Sequence, residues 1–181
     1  MKTRFVEDRI DYDGTQIRSL WAYRTFGVQG DSLVAFVGGC EIPFDHMVDL
    51  EDVRARARIA SPLMLHFIAE HFDLDLEKAV LRQRLLAAIV KDALPPDVRR
   101  EGDDLFAGPG KLSISIATLT PVSSKIHFGI NVERATDVGV ETRGLRDLGI
   151  DARSLAGAVL ARYAAETDGV LDARTRVRGV P

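Results

Sequence analysis

KLSISIAT, residues 111–118, and KIHFGINV, residues 125–132, are the two stretches whose alternation decides the fold. Side chains on a strand point to opposite faces in turn, so the first stretch carries Leu112, Ile114 and Ile116 on one face and Lys111, Ser113, Ser115 and Ala117 on the other. The second repeats the arrangement, with Ile126, Phe128, Ile130 and Val132 opposed to Lys125, His127, Gly129 and Asn131. Pro121 and two serines lie between them, the composition of a hairpin connection. Paired as antiparallel neighbours, the strands are expected to pack their apolar faces on helices. The other face then becomes a floor of very small residues carrying single Lys, His and Asn side chains. Ser, Ala and Gly suit close approach by a ligand or another backbone better than the longer residues of an ordinary wet face. A ligand pocket and a solvated or dimer-forming sheet surface are both compatible with such a floor.

Outward from this hairpin, period two extends over residues 98–133, with a turn at Ala107-Gly108-Pro109-Gly110, as expected for consecutive antiparallel strands. Upstream, Leu76, Ala79, Val80, Leu86, Ala87 and Val90 recur at helical spacing and predict a helix over 76–93, stopped by Pro95-Pro96. Ser61 followed by Pro62 resembles an N-cap with proline in the first turn and predicts a helix over 62–72. Asp151 caps a third predicted helix that buries Leu155, Val159, Leu160 and Tyr163. The first forty residues are mixed, with a strand over 4–10, a turn at Asp13-Gly14, a helix through Ile17, Leu20, Trp21 and Arg24, a loop over 27–30 and an apolar strand over 33–37. Strands and helices come in blocks. This is an α+β pattern, an antiparallel or mixed sheet with helices mainly on one face, in a single domain over 1–181.

The chain of 181 residues, 46% hydrophobic and 28% charged, has the balance of a soluble globular domain with room for its own core. A formal net charge of -3 removes the broad basic footprint of a general nucleic-acid binder. Cys40 is the only cysteine, which excludes an internal disulfide and a cysteine-cluster zinc site. The opening residues lack the apolar run of a secretory signal, and no stretch approaches the length of a membrane helix, so a cytoplasmic location is expected.

The segment GDDLFAGPGKLSISIATLTPVSSKIHFGINV, residues 102–132, resembles the central segment of biotin protein ligases and lipoate ligases. In that resemblance Asp104 matches the motif aspartate, Lys111 the lysine that contacts the acyl-adenylate, and Gly129, Ile130, Asn131 and Val132 the strand that closes the motif. Over the whole chain, including RSLWAYRTFGVQGDS at 18–32, the sequence also resembles the family named domain of unknown function 366. The resemblance implies a fold related to the class II aminoacyl-tRNA synthetase and biotin/lipoate ligase superfamily. It further implies ATP and magnesium as cofactors, a small carboxylic acid or nucleotide as ligand, and a carrier protein as candidate acceptor. A homodimer is a candidate assembly, while nucleic acid and membrane are not expected partners.

The chemistry fits a single lysine. Activation or transfer of an acyl group builds negative charge on phosphate and carbonyl oxygens, which a fixed ammonium stabilises. Lys111 is therefore expected in the catalytic role, with His127 beside it as donor or acid/base, and with Asp104, Ser113, Ser115, Gly129 and Asn131 binding the ligand. Both ligase types carry glycine- and arginine-rich loops ahead of this segment, and neither loop is present here. Arg18, Trp21, Arg24, Gly27, Gly30, Asp31 and Ser32 are the candidate substitute, the arginines for phosphate or carboxylate and Trp21 for stacking. An amphipathic helix with Trp21 in the core is the competing expectation. Octanoyl transferases of the superfamily use a cysteine downstream of the motif lysine, and no cysteine follows Lys111. Cys40, after Gly38-Gly39 at a strand end, is either a reactive thiol or an inert buried one. His66 and His71, five apart on the predicted helix, do not make a zinc-peptidase pair, His46 belongs to an acidic loop, and no metal site is expected. A non-catalytic ligand-binding or structural module, and an RNA-associated synthetase relative, are the alternatives to an enzyme.

Overall fold

A computed structural model describes residues 1–180. Five strands form the main sheet in the order β1-β2-β3-β8-β7, where β1 is Lys2–Phe5, β2 Ser32–Glu41, β3 Ala60–His71, β7 Ser113–Leu119 and β8 Ser124–Asn131. β1 runs parallel to β2 and every other pairing is antiparallel. A second sheet joins β4 (Arg99–Glu101), β5 (Asp104–Ala107) and β6 (Gly110–Lys111). The helices are α1 (Trp21–Phe26), α2 (Leu50–Ala55), α3 (Leu76–Asp92) and α4 (Ala152–Ala173). No helix is long and apolar enough to cross a membrane among the described residues.

α3 and α4 cover one face of the sheet. Leu65, Phe67, Ile126, Phe128 and Ile130 pack there against Leu86, Val90, Val159 and Tyr163 in the larger core. Each helix starts where a side-chain oxygen takes an orphan amide: Asp75 accepts from the Lys78 N–H at 3.0 Å, and Asp151 from the Ser154 N–H at 2.8 Å. Both helices were legible in period and cap. The opposite face is covered by irregular chain instead. Val34, Phe36, Met64 and Ile68 meet Tyr12, Ile17 and Trp21 in a smaller core, to which Ile114 and Ile116 add partly buried surface.

The expected helix over 62–72 is a strand. β3 is central, and both of its faces are covered: Met64–His71 are buried without a break. A strand covered on both sides loses polar alternation, so periodicity cannot separate it from a buried helix. The Ser61-Pro62 signal has another cause. The β2–β3 register shifts between Gly38↔Met64 and Cys40↔Ser61, which places Pro62 in an irregularity where its missing N–H breaks no ladder. The expected helix through residues 17–24 is likewise broken into a 3-10 turn over Thr15–Ile17 and α1, separated by Leu20 at φ 62.

Candidate functional site

On the irregular side of the sheet lies a cavity of about 500 Å³. Its floor is buried: Met64 on β3, His127 and Asn131 on β8, and Tyr12 from the chain beside β2. Ile114 and Ile116 of β7 form one wall. The β2–β3 connection arches over the space with Ile42, His46, Met47, Val48 and the α2 residues Glu51 and Asp52, and the chain after β8 closes the far side with Val138, Val140 and Thr142.

Lys111 reaches this cavity, but from the smaller sheet. β6 ends at Lys111, Leu112 follows outside either strand, and β7 begins at Ser113. The Lys111 N–H donates to the Glu141 carbonyl at 2.9 Å and its carbonyl accepts from the Arg143 N–H at 3.0 Å, while Leu112 donates to the Leu105 carbonyl at 2.7 Å. These bonds hold the lysine at the lip. Lys111 Nζ lies 2.8 Å from Asp104 Oδ2, both side chains about one-third exposed. The Asn131 side-chain amide donates to the Lys111 carbonyl at 3.4 Å, so Asn131 both lines the cavity and braces the lysine's backbone.

The expected floor of small residues is divided between the two faces. β7 and β8 pair as Ser113↔Ile130, Ser115↔Phe128 and Ile116↔His127, and residues paired across antiparallel strands share a face. The serines therefore join the helix side, and Ile114 and Ile116 take the face expected for Ser113 and Ser115, although both serines still border the cavity at this edge of the sheet. The passage from β6 to β7 at Leu112, from one sheet to the other, breaks the parity between Lys111 and the serines. Each hydroxyl oxygen accepts one hydrogen bond from the protein: Ser113 Oγ from the Leu105 N–H at 2.9 Å and Ser115 Oγ from Gln83 Nε2 at 2.8 Å. Gly129 keeps its expected place. A Cβ there would lie 2.9 Å from Met64 Cε and 3.3 Å from two atoms of the His127 ring.

The Arg18–Ser32 segment does not line this cavity. Trp21 packs against Phe36 and Phe26 at centroid distances of 5.7 and 5.2 Å, which is the core alternative. Arg24 is exposed, and Arg18 borders a separate, more open hollow with His46 and Thr118. Gly27 closes α1 at φ 69 and Gly30 turns the loop at φ 87, the left-handed region that glycine enters without strain. Asp31 accepts from the Phe72 N–H at 2.9 Å and bonds His71 Nδ1 at 3.3 Å, which, with that amide, holds its carboxyl below the usual range. Ser32 is fully buried at the start of β2. What fixes the segment elsewhere is Glu70, whose carboxylate accepts the Leu20 N–H at 2.8 Å.

Cys40 is buried in the smaller core, and burial pushes its thiol up to about 12, so it lacks the thiolate character of a nucleophile. His66 and His127, by contrast, meet. His66 Nδ1 lies 3.0 Å from His127 Nε2, and the Tyr12 ring stacks on His127 at 3.7 Å and 14°. Tyr12, His66 and the α2 connection escape sequence reasoning, because only the pairing of β3 with β8 brings residues 66 and 127 together. Burial holds both imidazoles neutral, His66 down to about 4 and His127 well below its ordinary value. Asp52 is pushed upward by burial and by the neighbouring Asp49.

This sheet, its helices on one face and a lysine-bearing cavity on the other define a protein of the biotin/lipoate ligase fold. A biotin protein ligase mutant from Aquifex aeolicus in complex with biotin matches with a TM-score of 0.58 at 14% identity, over 93% of this chain and 70% of that chain. A lipoate-protein ligase A bound with ATP shares the fold as well. Within this class, the chain belongs to the family described as Domain of unknown function (DUF366), which matches residues 1–178. Its relatives include an uncharacterized protein of Methanocaldococcus jannaschii, 41% identical over 94% of this chain and 81% of the relative. A protein of unknown function from Pyrococcus horikoshi is 41% identical in sequence and superposes with a TM-score of 0.94, over 99% of each chain.

Proposed function

We propose that the cavity binds a small carboxylic acid, free or as an activated acyl derivative, with the Lys111 ammonium against its carboxylate or carbonyl oxygens. The supporting observation is Lys111 itself, a cation at the lip of a cavity whose interior is built from Ile17, Ile42, Ile59, Met64, Ile114 and Ile116. An apolar tail can enter that interior while its charged end stays with the ammonium. Asp104 holds the ammonium in place before a ligand arrives, and Asn131 fixes the backbone that carries it. In an acyl derivative the same ammonium would stabilise negative charge developing on the carbonyl oxygen.

The residues present do not fit a magnesium-bound triphosphate. Asp49, Glu51, Asp52, Asp103 and Asp104 line the cavity against Lys111 and Arg58, and Arg58 is paired with Glu41 at 3.1 Å. Among the described residues no group of three or more His, Cys, Asp or Glu side chains could hold a metal ion. That charge balance favours a second reading, a ligand-binding module without carboxylate activation.

Thermal unfolding with octanoate, lipoate and biotin, each with and without magnesium-ATP, tests both readings, since a ligand that binds only the folded chain raises the melting temperature by an amount that grows with the logarithm of its concentration over its Kd. A shift from an acid alone supports the binding site. Pyrophosphate release that depends on the acid would establish activation and overturn the second reading. An absence of any shift from all three acids would contradict the proposed site.

A further inference from the structure

His66 and His127 are tied into a chain of hydrogen bonds that has a direction. His66 Nε2 faces the Gly38 carbonyl at 3.4 Å. A carbonyl only accepts, so this nitrogen carries the hydrogen. In a neutral imidazole the other nitrogen is then a bare acceptor, so His66 Nδ1 must receive a hydrogen from His127 Nε2, 3.0 Å away. With its hydrogen committed to Nε2, His127 is left with a bare lone pair on Nδ1. Among the described residues nothing bonds that nitrogen, although His127 is 2% exposed and lines the cavity.

The surroundings hold the rings in this arrangement. Tyr12 stacks on His127, and Phe36 stacks on His66 at 5.0 Å and 26°. Gly129, opposite His66 in the β3–β8 ladder, leaves clear the space that His127 crosses to reach its partner. Burial keeps both rings neutral, the state in which the chain has only one polarity.

We propose that Gly38, His66 and His127 form a one-way relay that presents His127 Nδ1 to the cavity as a fixed acceptor, selecting ligands that carry a hydroxyl or N–H donor on the part lodged beside it. His66 is a positioning residue in this scheme. It touches no ligand and sets the tautomer of the residue that does. This selectivity rests on the carboxylic-acid reading and narrows it, since an acid with a neutral hydroxyl or amide N–H on its buried end fits the floor better than a plain alkyl acid. Of the two roles expected for His127 from sequence, donor or acid/base, it selects the one in which the ring accepts a hydrogen.

Two measurements on the full chain test the relay. In long-range nitrogen–proton correlation spectra of protein carrying isotope-labelled histidine, His127 should show a pyrrole-type Nε2 and a pyridine-type Nδ1 at neutral pH. A protonated Nδ1 would overturn the relay. Substitution of His66 by Phe should release His127 into a mixture of tautomers. If that variant does not fold, the wild-type spectrum decides. In calorimetric titrations, ω-hydroxyoctanoate should bind roughly tenfold more tightly than octanoate, the scale of one net hydrogen bond. His127→Phe should erase that preference. Equal binding of the two acids to wild type would overturn the selectivity while leaving the Lys111 site standing. If neither acid binds, the carboxylic-acid reading and the selectivity built on it both fail, and the nitrogen spectra alone judge the relay.

Discussion

Lys125 Nζ lies 3.1 Å from Glu70 Oε2, with the two side chains 0% and 2% exposed. They face each other across the β3–β8 ladder. The carboxylate is further satisfied at Oε1, which accepts the Leu20 N–H at 2.8 Å and the Ser123 hydroxyl at 2.7 Å. A buried ion is tolerable only when it is paired and hydrogen-bonded in this way, and burial still pulls the Lys125 ammonium below its ordinary value. The carboxylate also holds Leu20 in the left-handed region at φ 62, which starts α1 away from the cavity.

Removal of one partner leaves the other buried and uncompensated. Lys125→Met is expected to destabilise the fold by about 3–5 kcal/mol. The double variant Glu70→Gln with Lys125→Met should recover part of that loss. Urea unfolding of the three proteins checks this, and a single variant as stable as wild type would show that the pair contributes nothing.

The buried histidines predict acid sensitivity above the carboxylate range. His66 falls from 6.5 in the unfolded chain to about 4 in the folded one, and His127 also falls. Between those values the unfolded chain binds protons that the folded chain refuses, so stability declines as pH falls from about 6.5 to about 4. For His66 alone the full decline is about 3 kcal/mol, taking about 1.4 kcal/mol per pKa unit. Asp31 and Asp73 act lower, because depressed carboxylates lose their stabilising contribution only as pH falls through their folded values, below 3.8. Replacing both histidines by Phe should remove the upper limb and keep the lower one in a pH series of denaturant unfolding.

Gly38 is required by close approach. A Cβ there would lie 1.8 Å from the Ile10 carbonyl oxygen, in the chain that runs beside β2 and leads to Tyr12. Gly38→Ala should cost about 1–3 kcal/mol or more by overpacking. Because that chain carries Tyr12 onto His127, the variant should also alter the His127 resonances, whereas stability and spectra like those of wild type would contradict the assigned contact.

Cys40 should resist alkylation in the folded protein. Burial pushes its thiol up to about 12, so iodoacetamide should modify it only after unfolding in urea. Rapid labelling of the native chain at neutral pH would reinstate a reactive role.

Features carried by local sequence were legible, and those that depend on pairing were not. α3 and α4 announced themselves through helical spacing and capping aspartates, and the apolar face of β8 packs on those helices as its alternation requires. β3 was hidden because burial on both sides erases the alternation that marks a strand, and Ser61-Pro62 imitates a helix start. At the site, the motif resemblance located Lys111, Asp104 and Asn131 around one cavity. Strict alternation breaks at Leu112, where the chain passes from one sheet to another, so Ser113 and Ser115 border the cavity from the helix side and not from the face of His127 and Asn131. The Arg18–Ser32 segment lies away from the cavity because its anchor, Glu70, is far off in sequence on a strand whose period imitates a helix. Tyr12 and the α2 connection carry no motif, and they become visible only when the chain closes over the sheet.

The central claim is that Lys111 engages the carboxylate of a ligand in this cavity, and calorimetric titration with octanoate and octanamide against wild type and Lys111→Ala tests it most directly. A charge-assisted hydrogen bond contributes about 1.5–3 kcal/mol, so wild type should bind the acid at least roughly tenfold more tightly than the amide. Lys111→Ala should lose that preference while keeping the wild-type unfolding midpoint within a few degrees. Identical affinities of wild type and variant for the acid, or equal binding of acid and amide by wild type, would contradict the account.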